Sequence, residues 1–210
     1  SATATIPAVD PTRSIVLVST RTSTASAQQY QALATGELTN GTTVQVKRAA
    51  TATSANTTVR YQVVEFSAAS GASVQTGEVA FNGGLSTIAT LGTAVDLSSS
   101  WLYFSYDASS DGPQQTATKG QLTAMNQLTF ARQATNAYNN RIRYYVVTVS
   151  TGEVAVKRGA SAYTGGVATA THNIGFAGVS ALNKAFPFVT NTTADTGGTG
   201  GSGTITQQSA

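Results

Sequence analysis

The chain carries an internal duplication, and this feature constrains its fold more than any other. Residues 36–51, GELTNGTTVQVKRAAT, match residues 120–135, GQLTAMNQLTFARQAT, without a gap at an offset of 84. Further along, VRYQVVEF (59–66) matches IRYYVVTV (142–149) at an offset of 83. A repeat of this kind indicates one supersecondary unit that is built more than once and stacks on its neighbour.

Two further blocks recur in the same order. The segment TGEVA occurs at 76–80 and again at 151–155, and SIVLVS (14–19) matches SWLYFS (100–105) at an offset of 86. Four blocks in the same order, at offsets between 75 and 86, are hard to produce by chance. They indicate two tandem modules of about 84 residues.

A third copy begins near the C-terminal end of the sequence. At an offset of 84, the strand at 101–105 falls on AFPFV at 185–189, after which the sequence becomes TNTTADTGGTGGSG. We therefore divide the chain into module 1 (1–84), module 2 (85–168) and a partial third repeat (169–210). Residues 169–210 are interpreted either as an unfinished module or flexible end, or as an extended arm that pairs with a neighbouring subunit.

Each module is predicted to be all β. Its apolar segments are short, rich in β-branched and aromatic residues, and bounded by Gly, Asn, Ser and Pro. The expected fold is two tandem β-sandwich modules plus the partial third repeat or C-terminal arm. The predicted strands are 14–20, 36–39, 43–48, 59–66 and 73–81 in module 1, and 100–106, 120–123, 127–132, 142–149 and 152–157 in module 2.

Alternation along the first strand of each copy separates two faces. One face is large and apolar in every copy and is predicted to point into each sandwich: Val16 and Val18, Leu102 and Phe104, Phe186 and Phe188. The opposite face varies and places Trp101 beside Tyr103 in module 2. That face is either a second buried surface or a contact patch toward the other module or another subunit. The interface candidates are Trp101, Tyr103, Tyr106, Phe186 and Phe188.

Charged residues recur only in part. Arginine occupies equivalent positions at 48 and 132, and again at 60 and 143, which predicts a role in each module's own structure, such as a cross-strand pair. Acids are not expected to recur, because Thr148 stands at the position of Glu65. With 12 basic and 9 acidic residues, the net charge of +3 is too small and too dispersed to indicate nucleic-acid binding.

Chemically reactive residues are scarce in the sequence. Cysteine is absent and His172 is the single histidine, so a thiolate site, a multi-histidine metal site and a histidine relay are excluded. Asp107 and Asp111 flank a short loop, where a turn is a simpler interpretation than a calcium site. We expect no enzyme activity, no cofactor and no metal. The longest apolar runs, about six residues, are too short to span a membrane.

In general style the chain resembles the small β modules that decorate or reinforce tailed-phage virions or form their tails and fibres. The segments VRYQVVEF…VQTGEVAF and IRYYVVTV…TGEVAV carry this resemblance. It implies a non-enzymatic subunit of a virion, most specifically a capsid decoration protein, that contacts copies of itself and a capsid or tail protein. A chain with only 10% charged residues also suits dense packing in an assembly.

Two alternatives remain open at this point. The first is an extracellular filament or cell-surface adhesin subunit whose C-terminal arm donates a strand to the next subunit. The second is a carbohydrate-binding module in which Trp101, Tyr103 and Tyr106 form a stacking platform.

Overall fold

The structure is almost entirely β. It is a computed structural model that describes residues 1–22, 29–49, 56–109, 116–133, 135, 139–159, 188 and 190. Short 3-10 turns lie at Pro11–Arg13, Gln29–Ala32 and Ala68–Ser70. The strands are β1 (Ala2–Thr5), β2 (Ser14–Thr22), β3 (Thr35–Asn40), β4 (Thr43–Lys47), β5 (Thr57–Glu65), β6 (Ala72–Asn82), β7 (Ser86–Thr90), β8 (Ser100–Ala108), β9 (Lys119–Ala124), β10 (Gln127–Ala131) and β11 (Asn139–Val149).

The described strands form four antiparallel sheets. Two of the three-stranded sheets, in the orders β1-β4-β3 and β7-β10-β9, are the same unit in the two modules. A two-stranded sheet, β2-β5, corresponds to β8-β11 of module 2, where β6 joins as a third strand in the order β6-β11-β8. The predicted all-β, sandwich-type class is thus confirmed.

Most of the predicted strands agree with the structure to within a few residues. β1 and β7 were not predicted, because their sequences ATAT and STIAT are too short and too weakly apolar to stand out. The strand predicted over 152–157 is wrong: these residues form no strand in the structure. They have the composition of a strand but no strand beside them among the described residues.

β6 crosses from one module to the other. It lies within the first 84 residues, yet it pairs with β11 along its whole length, from Ala72 opposite Val149 to Asn82 opposite Asn139. β11 is paired on its other side with β8. The sheet of module 2 is therefore completed by a strand from the sequence of module 1.

The two hydrophobic cores lie on opposite faces of the sheet β6-β11-β8. The first core packs Ile142, Tyr144 and Val146 of β11 against side chains of β7, β9 and β10. The second core packs Tyr145 and Val147, from the opposite face of the same strand, with buried residues of β2 and β4. The second core is consequently built from both modules.

Equivalent glycines permit close packing in each module. A Cβ atom on Gly36 would lie 2.4 Å from Val18 Cγ1, and one on Gly120 would lie 2.6 Å from Phe104 Cε1. Both distances are far below van der Waals contact. Both modules therefore have the same close approach, of β3 to β2 in module 1 and of β9 to β8 in module 2.

Equivalent aspartates close the turns that precede β2 and β8. Asp10 accepts the Thr12 N–H at 2.9 Å, and Asp96, 86 residues later, accepts the Ser98 N–H at 2.8 Å. Such turns are a common role of aspartate. The prediction that acids do not recur is wrong at this position, because each aspartate lies in a turn just before the recurring block at 14–19 or 100–105.

In the described part of the chain, no helix is long and apolar enough to cross a membrane.

Candidate assembly interface

Tyr103 and Tyr145 join the central sheet to module 1. Tyr145 donates its hydroxyl to the Gly36 carbonyl oxygen at 2.9 Å, and the Tyr103 hydroxyl accepts the Val18 N–H at 3.2 Å. Burial raises the pKa of both tyrosines, most strongly that of Tyr145. The two phenols therefore stay protonated and serve as fixed hydrogen-bonding groups between the modules.

Trp101 and Tyr106 occupy different environments although both come from β8. Trp101 is half-buried at the edge of the second core, with its ring perpendicular to that of Phe66 at a centroid distance of 5.9 Å. Tyr106 is 5% exposed and belongs to the first core, where burial raises its pKa to about 12. Tyr106 thus has no exposed face with which to bind a partner or stack on a sugar.

Phe188 lies against module 2 in a position that repeats an earlier one. Its ring centroid is 6.1 Å from that of Tyr103, and it is 40% exposed. The neighbouring Thr190 hydroxyl accepts the Gly120 N–H at 3.4 Å, just as the Ser105 hydroxyl accepts the Gly36 N–H at 3.4 Å. Thr190 therefore contacts Gly120 of module 2 in the way that Ser105 contacts Gly36 of module 1. Phe186 lies outside the described residues.

A cluster of four charged side chains holds the module boundary. Arg143 of β11 forms ion pairs with Glu78 of β6, at 3.2 Å, and with Glu37 of β3, and Lys47 of β4 pairs with the same Glu37. Burial lowers the pKa of Arg143, but the guanidinium remains charged between its two carboxylates. The predicted cross-strand role of this arginine is therefore correct in kind, but its partners lie in the other module.

A shallow cleft of about 300 Å³ lies beside this cluster, lined in part by Arg48, Asp107 and Arg141. Asp107 is buried and forms an ion pair with Arg141. Burial raises the pKa of Asp107, and the charge of Arg141 opposes that rise. Among the described residues no group of three His, Cys, Asp or Glu side chains is placed to hold a metal ion. Asp111 and His172 lie outside the described residues.

β5 presents an open edge. Among the described strands it pairs with β2 alone, whereas its equivalent in module 2, β11, is paired on both sides. Arg60, equivalent to Arg143, is exposed and has no ion-pair partner in the described part of the chain. The backbone groups along this edge are available to a further strand.

The second copy of TGEVA lies outside any sheet. Residues 151–157 follow β11 and run beside the turn after Asp96, where the Val156 N–H donates to the Ser98 carbonyl oxygen at 2.8 Å. Arg158 donates to the Leu97 carbonyl oxygen at 2.6 Å. Exposure alternates from Glu153 to Lys157 as in a strand with one covered face. Of the carboxylates in described residues, only Glu153 makes no hydrogen bond or ion pair.

Sequence reasoning identified Trp101 and Tyr103 but missed the charged cluster and the strand exchange. A signal for the exchange was present: VRYQVVEF recurs at an offset of 83, whereas the TGEVA that follows recurs at 75. This change of spacing indicates that TGEVA does not keep a fixed place beside the strand that precedes it in the sequence.

Comparisons of the chain with protein-family models, with curated proteins and with solved structures each find no significant match.

Proposed function

We propose that the chain is a structural, non-enzymatic subunit that assembles through contacts with copies of itself and with a partner protein. One observation carries this proposal: neighbouring modules complete one another. β6 supplies an edge strand to the sheet of module 2, and Tyr145 and Val147 return to fill the core shared with module 1. Modules of this kind reach their full packing only when placed side by side.

The relation between modules is head to tail. The surface around Gly36 meets Ser105 of the next module, and the surface around Gly120 meets Thr190 of the next repeat. Different surfaces are therefore joined at each step, and the same step occurs twice. A head-to-tail contact that repeats in this way builds rings or filaments.

The acidic side chains support a structural role. Asp10 and Asp96 close turns, Glu37 and Glu78 join the modules, and Asp107 pairs with Arg141. Each of these carboxylates is engaged in holding the fold. Low overall charge and many short hydroxyl side chains leave surfaces that are easily desolvated on contact.

The specific form that we favour is a virion component, such as a capsid decoration subunit, in line with the resemblance of the repeat blocks. A filament or adhesin subunit at the cell surface is the second candidate, and the repeated head-to-tail contact favours it. We do not carry the carbohydrate-binding alternative further, because Tyr106 is buried and Tyr103 packs in the second core.

Sedimentation velocity of the purified chain over a range of concentrations tests the proposal. Assembly predicts species above the 21.4 kDa of one chain, with a proportion that rises with concentration. A single species of 21.4 kDa at every concentration would contradict homotypic assembly. Electron microscopy separates the two forms, since a closed oligomer of fixed size favours capsid decoration and an open polymer favours a filament.

A further inference from the structure

We propose that residues 151–157 of one copy add as a strand to the open edge of β5 in a second copy. The register is that by which β6 already pairs with β11 within one chain. This inference rests on the proposed homotypic assembly and specifies its junction. The donor segment and the acceptor edge are different surfaces, so the contact is head to tail and leaves a free donor and a free acceptor at the ends of any chain of subunits.

The template is the central part of the β6–β11 ladder. There Gly77 lies opposite Tyr144, Glu78 opposite Arg143 and Val79 opposite Ile142. Glu78 and Arg143 form an ion pair at 3.2 Å. Gly77 is required because a Cβ atom at this position would lie 2.3 Å from the Tyr144 hydroxyl oxygen.

The acceptor reproduces the template strand. β5 carries Val59, Arg60 and Tyr61 at the positions of Ile142, Arg143 and Tyr144 in β11. Its edge opposite β2 has no strand beside it in the described part of the chain. At the edge where β11 pairs with β6, β5 therefore has no partner among the described strands.

The donor reproduces the template's other strand. Residues 151–155 repeat TGEVA of β6, and Glu153 is exposed and unpaired among the described side chains. β6 lies against the turn Pro11–Arg13 of its module, and residues 156–158 bond to the equivalent turn at 97–100. The segment is consequently held on module 2 much as β6 is held on module 1.

Transferring the register places Glu153 opposite Arg60, and neither of these residues forms an ion pair in the described part of the chain. It also places Gly152 beneath Tyr61, where glycine again leaves room for the ring. Gly152 now has a φ of 75° with no atom near its Cβ position, so its backbone can rotate into the extended form on pairing. Val154 comes to lie opposite Val59.

The arrangement has a consequence for the third repeat. Within one chain, Tyr103 of β8 contacts Val18 of β2, which is the equivalent strand of module 1. The same contact at the junction would place β2 of the acceptor copy against β8 of the donor copy. Phe188 and Thr190 occupy that place in the single chain through Tyr103 and Gly120. Assembly therefore requires these two residues to move aside.

The test uses reciprocal charge substitutions in the full chain, with sedimentation velocity as the readout. Arg60→Glu or Glu153→Arg alone puts like charges at the junction, and each should raise the concentration needed for half-assembly about fivefold at low salt. Mixing the two variants makes every junction complementary and should restore assembly, as should the double variant. Lys119→Glu, an exposed charge change on β9, is the matched control and should leave assembly unchanged.

Two further variants keep the test decisive. Val154→Pro with Ala155→Pro removes two adjacent N–H groups, which point to opposite edges of a strand, and should abolish assembly without changing thermal unfolding. Phe188→Ala should promote assembly, whereas an arm donated from residues 169–210 predicts the opposite. If the wild-type chain assembles but neither the proline pair nor the charge exchange has an effect, this junction is wrong and the proposed function stands. If the wild-type chain remains a monomer, both are wrong.

Discussion

β5 and β11 descend from one repeated sequence, yet their surroundings differ. Val147 of β11 is fully buried, whereas the equivalent Val64 of β5 is 36% exposed. β11 has a strand on each side and a core on each face, whereas β5 pairs with β2 and, among the described strands, has none on its other edge. Val59, Tyr61 and Val63 of β5 pack on the second core, but in the described part of the chain β5 has no strand equivalent to β6 and no core on its other face.

The comparison shows that each module packs on elements of the other. β6 adds the third strand to the sheet β8-β11, and side chains of β8 and β11 pack on the core of module 1. A central strand that is covered on both faces tolerates little change, while an edge strand with one covered face tolerates more. Equivalent substitutions in the two modules measure how far this holds.

The largest effect is expected where glycine permits close packing. Gly120→Ala places a methyl group against the rings of Phe104 and Phe130 and should lower the free energy of unfolding by about 3 kcal/mol. Gly36→Ala brings one atom, Val18 Cγ1, closer than 3.0 Å to the new methyl group, where Gly120→Ala brings three, and it should cost about 1 kcal/mol. Urea unfolding followed by circular dichroism measures both. A larger loss at Gly36 would reverse the ranking and refute this account.

The next comparison truncates the same side chain in both strands. Val146→Ala in β11 creates a cavity in the first core and should cost about 2 kcal/mol, while Val63→Ala at the half-buried equivalent in β5 should cost about 1 kcal/mol. Equilibrium urea unfolding gives both values. Equal losses would show that β5 is covered as fully as β11, which would count against its open edge.

A third comparison concerns the equivalent arginines. Arg143→Gln leaves Glu37, which is 13% exposed, beside fewer cations and should cost about 1 to 2 kcal/mol. Arg60→Gln changes an exposed residue and should alter stability by less than about 0.5 kcal/mol. The measurement is thermal unfolding at low protein concentration, where assembly does not contribute. Adding 1 M salt should reduce the difference between the variants only slightly, because Arg143 is half-buried.

The smallest effect should be equal in the two modules. Hydrogen bonds from the Thr12 hydroxyl and N–H lower the pKa of Asp10 below 3.8, and the Ser98 N–H and hydroxyl do the same for Asp96. Their contribution to stability is present above pH 3.8 and is lost as the pH falls through the lowered pKa. Asp10→Asn and Asp96→Asn should each make acid unfolding less steep between pH 4 and 2, as seen in urea midpoints. A change at only one position would show that the turns are not equivalent.

Strand positions were largely predictable from the sequence, because burial on one face leaves alternating apolar residues in segments such as 59–66 and 142–149. β1 escaped prediction because the sequence ATAT contributes its backbone to β4 and little apolar surface. The segment 152–157 was predicted as a strand for the right local reason. A strand also needs a neighbour, and propensity contains no information about neighbours.

The candidate interface was less predictable. Alternation in β8 separated Leu102 and Phe104 from Trp101 and Tyr103 correctly, and the structure assigns the two sets to different cores. It did not reveal that Ile15, on the variable face of β2, is 3% exposed and belongs to the second core. The ion pairs of Glu37 with Arg143 join residues more than 100 positions apart, and only the fold brings them together.

The crossing of β6 to β11 also sets an order of events during synthesis. Ala72 leaves the ribosome 77 residues before Val149, its partner in the ladder, and at about 5–20 residues per second this interval lasts about 4 to 15 seconds. During that interval the backbone groups of β6 lack their partners in β11, and the second core lacks the side chains of β8 and β11. Slow or paused translation between the two strands would prolong this state and raise the yield of aggregates, so nascent chains of this protein should depend on chaperones more than their small size suggests.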